Sequence, residues 1–173
     1  MESTLIDLTT RRSCRSFTDE VPSKEILDKI AVAGSYAPTG RGLQAPKIVI
    51  VRDRETIEYI EKLNAAAWGG KMEHPFYGAP VLMIVLADPD IRTYVDDGNM
   101  VIGNILNAAH ALGVASCYIY RARETFDMPE GKELLRKWGI DEKYRGIGNC
   151  ILGYAAAPYA EPKPRKDDYI LYV

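Results

Sequence analysis

The stretch 37-APTGRGLQAP-46 places Gly40-x-Gly42-x-x-Ala45 in one short segment, the spacing of the glycine fingerprint of a dinucleotide-binding turn. That turn works only between a strand and a helix. Its glycines let backbone approach a pyrophosphate, and the helix N-terminus supplies N–H groups and partial positive charge. Here the order is reversed. Pro22-Ser23 opens a helical pattern with Ile26, Leu27, Ile30 and Ala33 on one face, which fades between Gly34 and Ala37 before Pro38. Beyond the loop, the apolar run Ile48–Val51 has the character of a strand. The dinucleotide reading fails on this topology, and the glycines serve the turns of a helix-to-strand loop.

Outward from the loop, Ser3 is a candidate cap for a short N-terminal helix carrying Leu5, Ile6 and Leu8, whose pattern dissolves near Arg11. On the other side, Asp53 caps a helix with Ile57, Ile60 and Leu63 on one face. The run 80-PVLMIVLAD-88 is almost continuously apolar and reads as a strand buried on both faces. The longest helix is expected from Tyr94 to Leu112, with Gly113 ending it. A strand follows at 114-VASCYIY-120, a helix from Pro129 to Trp138 closed by Gly139, and a strand from Ile147 to Tyr154. The segment 155-AAAPYAEPKPRKDD-168 is too proline-rich and charged to form an element of its own. It leads to a strand pattern at Tyr169–Val173 that needs a sheet edge to pair with. Alternation alone suggests one sheet with helices on both faces, and favours parallel strands.

Composition bounds the function. The 173 residues suit one domain spanning 1–173, and 47% hydrophobic with 27% charged residues is the profile of a globular protein with a real core. A net charge of -2 makes no case for nucleic acid. No run approaches the ~18 apolar residues of a membrane span, and residues 1–7 lack the pattern of a secretory signal. Cys14, Cys117 and Cys150 are odd in number and form no Cys-x-x-Cys pair, so neither a disulfide framework nor a metal site is expected. A reducing cytoplasm is the expected location. His74 and His110 are far apart in sequence, and no serine or cysteine nucleophile has a base placed by motif. With no catalytic residue indicated, any redox or transfer chemistry falls to a bound cofactor.

Two basic clusters stand out. In 11-RRSCRSF-17, an extended chain turns Arg11, Ser13 and Arg15 to one side, a receptor for a phosphate or another acidic group. The alternative is that these arginines end the first helix and complement its dipole. In 162-PKPRK-166, Lys163 and Arg165 are again two apart in a segment that prolines keep extended; a solvated linker face is the alternative there. Two extended basic pairs and one glycine-rich loop are three pieces of a candidate anion-binding cofactor site.

Residues 11–53, from the Arg-Arg-Ser-x-Arg segment through a helix to Ala-Pro-Thr-Gly with Gln44 a few residues on and then a strand, resemble the N-terminal signature of the nitroreductase family of FMN-dependent oxidoreductases. The segment 96-DDGNMVIGNILNAAHALGVASCYIY-120 is similar to that family's central helix and strand, and residues 148–173 to its last strand, basic arm and tail. The resemblance implies an α+β sandwich, a mixed and largely antiparallel sheet flanked by helices, in place of parallel α/β. It also implies a homodimer in which residues 155–173 form an extended arm ending in a strand exchanged with the partner. FMN would lie at the interface, with NADH or NADPH as electron donor and a nitroaromatic, quinone or similar electron-poor acceptor. Carried onto this chain, Arg11, Arg12, Ser13 and Arg15 would line the phosphate, ribityl and pyrimidine end, with Arg15 nearest the ring. Lys163 and Arg165 would complete the phosphate grip, while Pro38, Thr39, Gly40 and Gln44 would come from the other subunit. Family members often have Asn where this chain has Gly42, and Pro-Trp where it has Ala45-Pro46, so those contacts lack a counterpart. Between Leu63 and Gly78 the only pyrimidine candidate is Lys71. A flavin-binding or redox-sensing protein with little turnover, and a non-flavin anion-binding module, are the alternative functions.

Overall fold

The computed structural model describes residues 2–173. Its centre is the apolar run read as a doubly buried strand. Here β2 (Val81–Ala87) is buried at every position and lies between β1 (Pro46–Val51) and β4 (Arg145–Gly153), with β3 (Ala115–Ile119) beyond β4. Along β2, Val81, Met83, Val85 and Ala87 face one cluster, packed by Leu27, Ile30, Val101, Ile102 and Ile105; Leu82, Ile84 and Leu86 face the other, packed by Ile57, Ile60, Phe126 and Leu135. Period-2 alternation thus sends each half of a continuous apolar run into its own core. The result is a three-layer sandwich. On one side lie α2 (Lys24–Ser35) and α4 (Tyr94–Ala111); on the other lie α3 (Arg54–Ala67), α5 (Ala122–Asp127) and α6 (Pro129–Lys137).

Local chemistry fixes the helix ends. The Ser23 hydroxyl accepts from the Ile26 amide at 3.3 Å to start α2, and the Asp53 carboxylate accepts from the Thr56 amide at 2.9 Å to start α3. Gly113 has φ 73° and ends the α4 turn, as its position after the apolar pattern suggested. Ser3, by contrast, lies inside α1 (Glu2–Thr10) and is not its cap. α5 has no counterpart in the sequence reading.

Strand direction departs from what alternation favoured. All three pairings, β1 with β2, β2 with β4 and β3 with β4, are antiparallel. The parallel part of the expected mixed sheet is one bridge, Ser13 to Ser116, on the outer side of β3. In the single chain, residues 169–173 form no strand, and Tyr169, Ile170, Leu171, Tyr172 and Val173 are exposed.

One packing contact makes a sharp stability prediction. A methyl group on Gly146 would collide with the Ala122 carbonyl, where α5 crosses the start of β4. Neither backbone has room to yield, because Gly146 is paired with Leu86 of the central strand. Gly146→Ala is therefore expected to cost about 2–3 kcal/mol, the upper range for overpacking. Urea unfolding measures it, and a loss below about 0.5 kcal/mol would contradict the contact.

Candidate functional site

The first basic cluster is held extended by the sheet's edge. The Cys14 amide donates to the Ser116 carbonyl at 2.9 Å, the Thr18 amide to Tyr154 at 2.9 Å, and the Ala156 amide back to Ser16 at 2.9 Å. Residues 13–18 are thereby threaded between β3 and the chain leaving β4. Cys14 points into the protein while Ser13 and Arg15 are exposed, the alternation the extended reading requires. The other reading holds for Arg12. Its Nη1 donates to the carbonyls of Thr9 at 2.9 Å and Arg11 at 2.7 Å, closing the end of α1.

The C-terminal arm returns over this segment. Arg11, Arg12, Ser13 and Arg15 share a cavity of about 310 Å³ with Ala160, Glu161, Pro162, Lys163 and Arg165. Both basic clusters therefore line one space. Among the described residues, none of the five cations has a carboxylate within 4.0 Å, although Glu161 borders the cavity. The Arg11 Nη1 is buried without a hydrogen-bond partner. Elsewhere the chain pairs its cations freely, as in Lys143 with Asp88 and Asp90 or Arg136 with Glu142. Concentrated, uncompensated guanidinium and ammonium groups suit a phosphate or a similar polyanionic head group.

Arg15 also lines a second cavity of about 230 Å³ that the sequence reading missed. Its walls are Asn64, Trp68, Met72, Pro75 and Tyr77 from α3 and the loop after it, and Cys117 to Arg121 from the end of β3. Asn64 is buried and its amide donates to the Tyr120 carbonyl at 2.9 Å, tying the two walls together. Burial pushes the Cys117 thiol above its ordinary range, against the opposing effects of a hydrogen bond from Ser13 and the charges of Arg15 and Arg11. Lys71, the candidate from this region, is exposed and lines neither cavity. Spacing offered one signal: Asn64 and Trp68 are four apart and share a face of α3's last turns.

The glycine loop sits elsewhere on the chain. The Gly40 amide donates to Asp97 Oδ1 at 2.9 Å, and the Thr93 hydroxyl donates to Asp97 Oδ2 at 3.0 Å. Gly40 is thus used to seat the loop on α4, where a methyl would strike the Thr93 side chain. The Gln44 amide donates to the Thr39 hydroxyl at 3.1 Å. Pro38, Thr39 and Gln44 border a separate depression of about 620 Å³ with Ser35 and Tyr36. The single chain gathers the two basic clusters and leaves this loop on another surface.

Comparison with known proteins agrees with this architecture. The Nitroreductase family profile matches residues 8–154. A curated relative from Archaeoglobus fulgidus, named as an NADH dehydrogenase/NAD(P)H nitroreductase, is 33% identical, with 98% of this chain and 91% of the relative covered. Among solved structures, a nitroreductase with bound FMN from Desulfitobacterium hafniense has 29% identity and a TM-score of 0.90, covering 100% of this chain and 99% of that one. A second FMN-bound nitroreductase, from Bacteroides fragilis, has 28% identity and a TM-score of 0.87, with 98% of each chain covered. A match through the basic segment, the sandwich and the last strand leaves one conclusion: the chain belongs to the nitroreductase family.

Proposed function

We propose that the chain is a single FMN-binding domain over residues 1–173 and acts as an FMN-dependent oxidoreductase, taking electrons from NADH or NADPH and delivering them to a small electron-poor acceptor such as a nitroaromatic or quinone. The observation that carries this reading is the shared basic cavity, in which the N-terminal segment and the C-terminal arm bring Arg11, Arg15, Lys163 and Arg165 to one place with no carboxylate paired to them. The residues fit FMN's terminal phosphate: Arg11, Lys163 and Arg165 supply charge, and Ser13 lines the same cavity. Arg15 borders both cavities and so joins the phosphate end to the ring end. When bound, FMN supplies the hydride and electron chemistry for which the sequence offers no acid–base pair.

The chain's own contribution is binding, orientation and charge. Trp68, Tyr118 and Tyr120 give the ring end aromatic walls. Arg15 would place positive charge beside a bound flavin, where it would favour the negatively charged reduced form. Pro38, Thr39, Gly40 and Gln44 complete the site from a second copy, in a homodimer that also covers the exposed Leu5, Ile6 and Leu8 of α1, Val32 of α2 and Tyr36 just after it. Three buried free cysteines suit a reducing cytoplasm, and among the described residues no helix is long and apolar enough to cross a membrane.

The protein is expected to purify yellow or to take up FMN in preference to FAD. In FMN-saturated protein, Arg15→Gln should lower the flavin midpoint potential and slow reduction by NAD(P)H. A redox titration of the folded variant checks this, and an unchanged midpoint would remove Arg15 from the role. A colourless protein indifferent to FMN would overturn the reading as a whole.

A further inference from the structure

Glu61 has no part in the basic cavity or in any contact described above. It lies on α3 and is only 9% exposed. A carboxylate taken out of water is costly unless something compensates it. Among the described residues its one basic partner is the exposed His74, with Nδ1 3.7 Å from Oε2. The closer compensation comes from backbone. The Phe76 amide donates to Glu61 Oε1 at 2.6 Å, a short, charge-assisted bond. An apolar residue at 61 would satisfy the helix but leave that buried N–H without an acceptor. The loop, not the helix, specifies the carboxylate.

Phe76 is 1% exposed and sits in the core shared with Ile57 and Ile60 of α3. Its neighbours Pro75 and Tyr77 both line the ring-end cavity, as does Met72. Tyr77 holds φ 53°, a left-handed conformation costly for a residue with a side chain, and its hydroxyl reaches Met72 Sδ at 3.9 Å. Three residues along α3, on the same face, Asn64 holds the opposite wall through the Tyr120 carbonyl. One helix thus grips both sides of the cavity with buried polar side chains.

We propose that Glu61 is a positioning residue for the flavin ring: through the Phe76 amide it fixes Pro75 and Tyr77, and so holds one wall of the cavity in place. The inference rests on the flavin reading above. Glu61 itself touches no cofactor and takes no step in electron transfer. Its effect falls on the ring end, so it acts equally on flavins with and without a phosphate. That separates it from Arg11, Lys163 and Arg165.

Titrations of the full chain with FMN and with riboflavin test this, together with the flavin fluorescence that remains at saturation. Glu61→Ala should weaken both ligands alike, about tenfold, the loss expected for one hydrogen bond to a charged group. Residual flavin fluorescence should rise, because aromatic walls quench a flavin only when held against it. Glu61→Gln keeps an acceptor oxygen in place and should return both affinities to within about threefold of the unaltered protein. Glu61→Asp keeps the charge but withdraws it by one methylene, and should lose as much as Glu61→Ala. It carries the test if the alanine variant does not fold. Ile105→Ala, in the core on the other side of the sheet, controls for general loosening and should leave both affinities and the fluorescence unchanged. Unchanged flavin binding in Glu61→Ala and Glu61→Asp, a loss confined to FMN, or an equal loss in Ile105→Ala would overturn the proposal. If the unaltered chain binds neither flavin, the flavin reading itself fails and the positioning role falls with it.

Discussion

Deleting residues 169–173 is expected to abolish dimerisation and FMN binding together. The tail ends in Tyr169-Ile170-Leu171-Tyr172-Val173, exposed throughout in the single chain, with Tyr169 and Leu171 each at 75% and Tyr172 at 98%. Burying one such side chain is worth about 1.5–3 kcal/mol, so docking several on a second copy contributes more than most single contacts in the fold. The backbone of 171–173 carries no strand pairing, and a partner's sheet edge would satisfy it. Two-fold symmetry makes such an exchange reciprocal. The same arm carries Lys163 and Arg165, which lose their anchor when the tail goes. The dimer dissociation constant should rise by at least roughly a hundredfold, an effect of about 2.8 kcal/mol. FMN affinity should fall at least tenfold at the same protein concentration. Analytical ultracentrifugation alongside an FMN titration checks both, and a monomer that binds FMN at full affinity would refute a shared site.

The second large effect is expected from removing charge on both sides of the basic cavity. Arg11 arrives from the segment after α1 and Arg165 from the arm, so a double Arg11→Ala/Arg165→Ala variant strips one cation from each wall. A charge-assisted hydrogen bond contributes about 1.5–3 kcal/mol, so each single variant should weaken FMN about ten- to a hundredfold. The double variant should lose roughly a thousandfold, short of strict additivity if the remaining cations shift to compensate. Riboflavin, which lacks the phosphate, should bind the unaltered protein and the double variant alike. Parallel titrations with FMN and riboflavin decide the matter. If both ligands weaken equally, the cluster supports the fold rather than the phosphate.

Much of this arrangement is legible in the residues, for identifiable reasons. The continuous apolar run at 81–87 encodes a doubly buried strand, and Ser23 and Asp53 encode their helix starts through side-chain acceptors. Strand direction is different: a strand covered by helices on both faces reads as a continuous apolar run whichever way its neighbours run, so the pattern could not tell that β2 is antiparallel to both. α5 spans six residues, too few for a helical period to emerge. The pairing of Arg11 and Arg15 with Lys163 and Arg165 joins positions some 150 residues apart across a proline-rich arm with no periodicity. The residues alone suggested the two clusters as pieces of one anion-binding site, and the family resemblance assigned them to one phosphate. The aromatic cavity was missed because its walls come from two elements, and Asn64, Trp68 and Arg121 each look ordinary within their own.

Gly40 shows how a motif and its physical use diverge. The glycine spacing pointed first to a nucleotide, yet in this chain the Gly40 amide is engaged by Asp97 and the residue is small because Thr93 packs against it. Its role is to seat the loop on α4. Thr39 and Gln44 are thereby presented on the chain's outer surface, where a second copy would meet them.

The most direct test of the central claim is an anaerobic half-reaction experiment on the FMN-loaded protein. Addition of NADH or NADPH is expected to bleach the flavin absorption within the turnover time. Subsequent addition of a nitroaromatic or quinone should restore it, at rates that account for steady-state oxidation of the nicotinamide. Flavin that stays oxidised with both nicotinamides, or that is reduced but cannot be reoxidised by either acceptor class, would contradict the account.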